Sequence, residues 1–205
     1  LVFVGLWDFL WLGSPFNPRT GTRHQHRVMA GGPGAPAEIF RIVVVGTGSG
    51  CIAITLAKEL PEATVHASDI SAAALEVARA NAARHQMENR IQFRHTDLLE
   101  GFEAASFDFV VSNPPYVGES EEDEVQLEVR KFEPRNAVFA GPTGLEVIER
   151  LIPQARAGLK PTGWLVMEIS GSIAEGAKKL LSGWEVVQIT TDLQGIPRLV
   201  SARKP

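Results

Sequence analysis

From residue 41 to the C-terminus the sequence predicts an open α/β sheet of the doubly wound kind, and three observations carry that expectation. Short β-branched runs alternate with segments of helical apolar spacing, the pattern of parallel strands joined by crossover helices. The first run leads straight into a Gly-rich turn, Gly46-Thr47-Gly48-Ser49-Gly50, as strand-to-helix ligand loops do. A later run, residues 107–113, stops against Pro114 and Pro115, which cannot donate to a ladder.

The elements follow in order. RIVVVG at 41–46 is a continuous apolar run, suited to a parallel strand covered on both faces. The helix after the turn, roughly 50–60, puts Ile52, Leu56 and Leu60 on one face at i, i+4 and i+8 before Pro61 ends it. TVHASD at 64–69 is the second strand. Ser71 is placed to cap the next helix, in which Leu75, Ala78 and Ala82 keep helical spacing while Arg79 and Arg84 face outward. IQFRHTD at 91–97 and FDFVVSN at 107–113 are the third and fourth strands, and a long polar connection then runs to about Pro142. Thr143 and Glu146 form a T-x-x-E capping box for a helix lined by Leu145, Ile148, Ile152, Ala155 and Leu159, with Pro153 a candidate kink. WLVMEI at 164–169 is a fifth strand, a helix spans about 173–181, and WEVVQIT and RLVSAR form a closing pair.

With 205 residues, 44% hydrophobic and 21% charged, the chain can bury one sizeable core. Its net charge of -4 gives no global attraction to a phosphate backbone, so nucleic acid is not the expected partner. The single cysteine, Cys51, leaves no intramolecular disulfide and no cysteine cluster for zinc; no metal site is expected, and a reducing, cytoplasmic setting fits. The apolar opening twelve residues are interrupted by Asp8, are too short to span a bilayer and follow no basic region, so no membrane anchor is expected. Residues 13–40 are rich in Gly, Pro, Arg and His without apolar period, and are expected to be loop or disorder. The boundary thus falls at about residue 41, with residues 1–40 an atypical extension and 41–205 the domain. Because the chain opens on Leu1 and the composition of 1–40 does not match that of the domain, a shifted or truncated reading frame and a missing upstream segment are expected.

The G-x-G-x-G turn allows close backbone approach to a ligand, and the helix behind it presents free N–H groups, which suits a nucleotide-like cofactor. A turn that simply needs positive φ is the plain alternative. The pattern is neither the dinucleotide G-x-G-x-x-G nor a phosphate loop. At the end of the second strand, Asp69 can accept both hydroxyls of a ribose, or merely close an Asx turn. Asp97 repeats the arrangement after the third strand, where it can accept from an adenine amino group or cap a turn before Leu98. Asn113-Pro114-Pro115-Tyr116 is the most specific feature. The prolines fix the backbone at a strand's C-terminal mouth, so that the Asn113 amide oxygen and the Pro114 carbonyl become two rigidly placed acceptors. Such a pair holds both hydrogens of a planar NH2 group, with Tyr116 packed against the substrate plane.

GTGSGCIAI, ASDIS, FDFVVSNPPY, FEPRNAVFAGPTGLEVIERL, MEIS and DLQGIPRLVSARK together resemble the bacterial glutamine N5-methyltransferases that modify peptide chain release factors, over about residues 41–205. The resemblance implies a Rossmann-like class I methyltransferase fold, α/β, with a seven-stranded, mostly parallel sheet whose last strand is antiparallel. It implies S-adenosyl-L-methionine as cofactor, with S-adenosyl-L-homocysteine as product, and class 1 release factors as partners, methylated at the Gly-Gly-Gln glutamine. Gly46, Gly48 and Gly50 would approach the methionine part and Asp69 the ribose; Thr47, Ile70, Asp97, Leu98 and Asn113 complete the cofactor side. Asn113, Pro114, Pro115 and Tyr116 would hold the glutamine, with Asn113, Pro114 and Tyr116 as the catalytic set, and a monomer is expected. No general base is required, and neither Glu168 nor the histidines receive a role. Two departures stand out. Val44 replaces the family's acidic residue two positions before the first loop glycine, and Asn17-Pro18-Arg19-Thr20-Gly21-Thr22 lacks the acidic residues of the segment that usually precedes the loop; the resemblance also implies an upstream recognition domain, which is expected to be missing here. A ribosomal-protein glutamine, a nucleic-acid amino group on a flipped base, and a cofactor-binding domain with impaired catalysis remain as alternatives.

Overall fold

The structure is a computed structural model and describes residues 39–205; the expectations placed on the chain before that point lie outside the described residues. β1 (Arg41–Val45) sits at the centre of the sheet, between β2 (Thr64–Asp69) and β4 (Phe107–Ser112). β3 (Ile91–His95) flanks β2, and β7 (Leu159–Glu168) flanks β4. β8 (Glu185–Thr191) and β9 (Pro197–Arg203) complete a seven-stranded sheet in the order β3-β2-β1-β4-β7-β9-β8. The first five pair in parallel, whereas β9 is antiparallel to both β7 and β8. The expected mostly parallel sheet with a reversed last strand is therefore the one that forms. Its reversal follows from chain length: five residues join β8 to β9, enough for a hairpin and too few for a crossover.

From Ile42 onward β1 is apolar because it is covered on both sides. Ile42 and Val44 enter one apolar cluster with Ala53, Ile54, Leu56 and Ala57 of α1 (Cys51–Glu59). Val43 and Val45 enter the other, with Ile148, Leu151, Ile152 and Ala155 of α5 (Glu146–Gly158) and Ala177 of α6 (Ala174–Leu180). Each such fully buried Val, Leu or Ile contributes about 1.5–3 kcal/mol relative to exposure. α2 (Ala72–Arg84) behaves as its spacing predicts: Leu75, Ala78 and Ala82 are buried, and the Ser71 hydroxyl accepts from the Ala74 N–H at 3.2 Å.

Several local expectations shift. The buried stripe of α1 runs through Ala53, Leu56 and Ala57, while Ile52 and Leu60 are half-buried, because small alanines let the helix lie close to the sheet. The capping box at α5 is half made. Glu146 Oε1 accepts from the Thr143 N–H at 2.8 Å, but the Thr143 hydroxyl accepts from Leu145, and the helix starts at Glu146. Leu159 belongs to β7, which begins five residues before the expected strand; Lys160-Pro161-Thr162-Gly163 looks like a turn but forms an irregular stretch of ladder, with Thr162 at φ +64°. The polar connection after β4 carries structure of its own: β5 (Val117–Gly118), a 3-10 turn (Glu119–Glu124), α3 (Leu127–Phe132), α4 (Arg135–Val138) and β6 (Phe139–Gly141), with β5 and β6 paired. α3 and α4 bury none of their residues, so they leave no apolar period to detect.

Candidate active site

The strand register levels the candidate residues along one edge. Val45 stands opposite Ser68 on β2 and Ser112 on β4, and Ser112 stands opposite Met167 on β7. The next residue on each strand is therefore Gly46, Asp69, Asn113 or Glu168, four positions in one row at the C-terminal mouth of the parallel strands. Open α/β sheets bind ligands at that mouth. The Ser112 hydroxyl donates to the Val45 carbonyl at 2.9 Å and holds the two central strand ends together just below the row.

The glycine loop turns through three left-handed residues, Gly46, Gly48 and Gly50, at φ +65°, +55° and +85°. Their surroundings differ. A side chain at Gly46 or Gly48 would project into open space, whereas one at Gly50 would lie 3.1 Å from the Ala78 Cβ. Gly50 thus brings α1 against α2, while the first two glycines face a volume that a ligand can fill. The buried Thr47 hydroxyl has no hydrogen-bond partner among the described residues, so it is available to a polar ligand. Asp69 ties the loop in place: Oδ2 accepts from the Gly48 N–H at 2.8 Å and Oδ1 from the Ser71 N–H at 2.9 Å. The Asx turn is therefore present, and each carboxylate oxygen keeps a lone pair for a ribose hydroxyl. Val44 is fully buried in apolar surroundings, so here Asp69, and not a carboxylate at position 44, anchors the loop.

Farther along the edge, Ile70 is 59% exposed beside the loop, and its carbonyl lies 2.9 Å from His95 Nε2. The Asp97 carboxylate pairs with Arg150 of α5, so one of its oxygens is already engaged within the fold. Leu98 takes φ +50° and turns its carbonyl to the Ser68 hydroxyl at 2.9 Å.

On the other side of the row, β4 ends at Ser112 and leaves Asn113 exposed, with no hydrogen bond to its amide among the described residues; Pro114 behind it is buried. Tyr116 folds back, and its hydroxyl donates to Glu168 Oε1 at 3.1 Å across 52 residues of sequence. Burial, reinforced by the Glu168 charge and hydrogen bond, pushes the phenol up to about 12. Burial likewise raises the Glu168 carboxyl, partly offset by the Tyr116 hydrogen bond and the Arg198 charge. The exit from this segment needs Gly144, at φ +81°: a Cβ there would lie 2.5 Å from the Tyr116 carbonyl oxygen. Glu168 and Gly144 escape sequence reasoning because their partners are remote in the chain. The one available signal was a carboxylate inside the otherwise apolar run WLVMEI.

A glycine loop and an Asn-Pro-Pro-Tyr mouth on a doubly wound sheet with a reversed last strand define a Rossmann-like methyltransferase. The family model for the methyltransferase small domain matches residues 36–131. Solved structures share the fold: a ribosomal protein L11 methylase from Lactobacillus delbrueckii subsp. bulgaricus (TM-score 0.59, 22% identity, 83% of this chain and 73% of that one) and an O-methyltransferase from Thermotoga maritima (TM-score 0.58, 14% identity, 80% and 59%). Among curated relatives, the release factor glutamine methyltransferase of Koribacter versatilis is 48% identical over 97% of this chain and 70% of its own length. That of Rhodopirellula baltica is 40% identical over 80% of this chain and 56% of its own, and the bifunctional methyltransferase of Rickettsia conorii is 39% identical over 80% and 32%. The chain belongs to the release factor glutamine methyltransferase family. Among the described residues no helix is long and apolar enough to cross a membrane.

Proposed function

We propose that this chain transfers a methyl group from S-adenosyl-L-methionine to the side-chain amide nitrogen of the Gly-Gly-Gln glutamine in class 1 peptide chain release factors. The observation that carries the reading is the level row of Gly46, Asp69 and Asn113, which sets an open glycine loop beside an unengaged amide acceptor. The activity for which the Koribacter and Rhodopirellula relatives are named supports the substrate.

When bound, S-adenosyl-L-methionine supplies an electrophilic sulfonium methyl and leaves as S-adenosyl-L-homocysteine. Gly46, Thr47 and Gly48 would hold its methionine part, Asp69 its ribose, and Ile70, Asp97, Leu98 and Asn113 the remainder. The chain's own task is positioning, because an amide nitrogen shares its lone pair with the carbonyl and is a poor nucleophile. The Asn113 amide oxygen and the Pro114 carbonyl accept the two N–H hydrogens and fix the nitrogen's direction. As positive charge develops on that nitrogen, the same two acceptors stabilise it. Pro115 stiffens the frame, Tyr116 packs on the amide plane, and the extra proton is then lost to water.

The test is to incubate the chain with S-adenosyl-L-methionine and a bacterial release factor and to locate methylation by peptide mass spectrometry. A release factor with the Gly-Gly-Gln glutamine changed to alanine is the control. Methylation confined to that glutamine is expected; methylation elsewhere, or none, would overturn the substrate assignment.

A further inference from the structure

The Tyr116–Glu168 contact joins three separate segments. Tyr116 closes the Asn-Pro-Pro-Tyr mouth, Glu168 ends β7, and Arg198 on β9 carries the nearby positive charge that acts on both. Arg198 is itself held by Asp192 at 3.0 Å, and the Asp192 carboxylate also accepts from the N–H groups of Gln194 and Ile196, which closes the hairpin loop between β8 and β9. The Ile169 N–H donates to the Arg198 carbonyl at 3.0 Å and clamps this loop to the end of β7. Glu168 is only 8% exposed. One of its oxygens is spent on the phenol, and the other, Oε2, is buried without a hydrogen-bond partner among the described residues.

A buried carboxyl is costly to retain unless its partner gains from it, because its desolvation favours replacement by an apolar residue. Glu168 adds little to the core that a leucine would not supply. What it does supply is a fixed acceptor for the phenol, and so a fixed orientation for the ring beside Asn113. Resting on the methyl-transfer reading above, we infer that Glu168 is a positioning residue: it locks Tyr116 as the wall of the amide site and acts on the substrate only through that ring. Among the described residues, the titratable and charged groups that act on Glu168 are Tyr116 and Arg198, and neither replaces it as an acceptor.

The chain contains a single tyrosine, so its phenol can be followed without ambiguity. In the full-length chain, Glu168→Leu removes the acceptor, and should bring the phenol titration, read by phenolate absorbance or by tyrosine 13Cζ shift, down from about 12 while leaving it above 10, since burial persists. With S-adenosyl-L-methionine and release factor, the same variant should lose about 10- to 100-fold in kcat/KM for the release factor, with cofactor affinity unchanged. In a Tyr116→Phe background, Glu168→Leu should cause no further loss. An unshifted phenol, or an equal loss in both backgrounds, would overturn the proposal. Should Glu168→Leu fail to fold, Tyr116→Phe alone decides: it deletes only the hydroxyl, and full activity would sink the idea. If the parent chain methylates no release factor, the functional reading fails by itself, and the titration still decides the pairing.

Discussion

The two halves of the site edge are built by different means. Around Gly46, Gly48 and Asp69 the surface is largely backbone: left-handed glycines and a carboxylate that accepts from the Gly48 N–H of the loop and the Ser71 N–H before α2. Around Asn113 and Tyr116 it is side chain, held from behind by a buried acid and a reversed hairpin. On the proposed function, the first half would accommodate a ligand by leaving space, and the second would direct a reacting group by presenting acceptors. A change in the first should therefore act on affinity or stability, and a change in the second on rate.

The sharpest break of that contrast is Asn113→Ala. Asn113 is exposed and contributes no hydrogen bond to the described fold, so thermal stability should stay within about 0.5 kcal/mol of the parent. Loss of one acceptor aimed at developing charge should lower kcat by about 10²- to 10³-fold. A variant whose rate loss came with an equal loss of melting temperature would contradict the division.

Within the backbone half, Gly48 and Gly50 can be separated. Gly50→Ala forces a left-handed alanine against Ala78 at 3.1 Å and should cost about 2–3 kcal/mol in denaturant unfolding, from the conformation and the crowding together. Gly48→Ala meets no neighbour within 4 Å, so only the conformational cost of about 1–2 kcal/mol applies. Its methyl enters the open volume, however, and calorimetry should record weaker S-adenosyl-L-methionine binding. If Gly50→Ala weakens the cofactor more than Gly48→Ala at equal folded fraction, the assignment of open space to the first two glycines is wrong.

Much of this edge was legible in the sequence because its signals are local. The Gly46–Thr47–Gly48 turn, the Ser71 cap and the proline stop after Asn113 each lie within a few residues of what they determine. The Tyr116–Glu168 contact spans 52 residues and depends on β4 and β7 being neighbours, which no local pattern states. The segment between Pro115 and Pro142 was opaque for another reason: its helices bury nothing, and β5 and β6 contribute only two and three residues. The shifted face of α1 came from weighing large residues over Ala53 and Ala57, although small residues are what allow close approach.

The smallest effect lies away from the edge, on β2, and tests whether the sheet behind the site is indifferent to protonation. His66 is buried between the rings of Phe102 and Phe107, with centroids 6.0 and 5.3 Å away, and its Nε2 has no partner among the described residues. Burial, followed by the charges of Arg41 and Arg94, holds its imidazole below the ordinary 6.5. Above pH 6.5 the ring is neutral in both folded and unfolded chains and favours neither. Below 6.5 the unfolded chain takes up a proton that the folded chain refuses, so stability falls until the lower folded value is reached. His66→Phe removes this loss. The stability of the variant relative to the parent, from urea unfolding, should therefore rise by up to about 1 kcal/mol between pH 7.5 and pH 5.5. The carboxylates common to both chains cancel in that difference, so a gap that stays constant with pH would show that His66 is protonated as readily inside the fold as outside it.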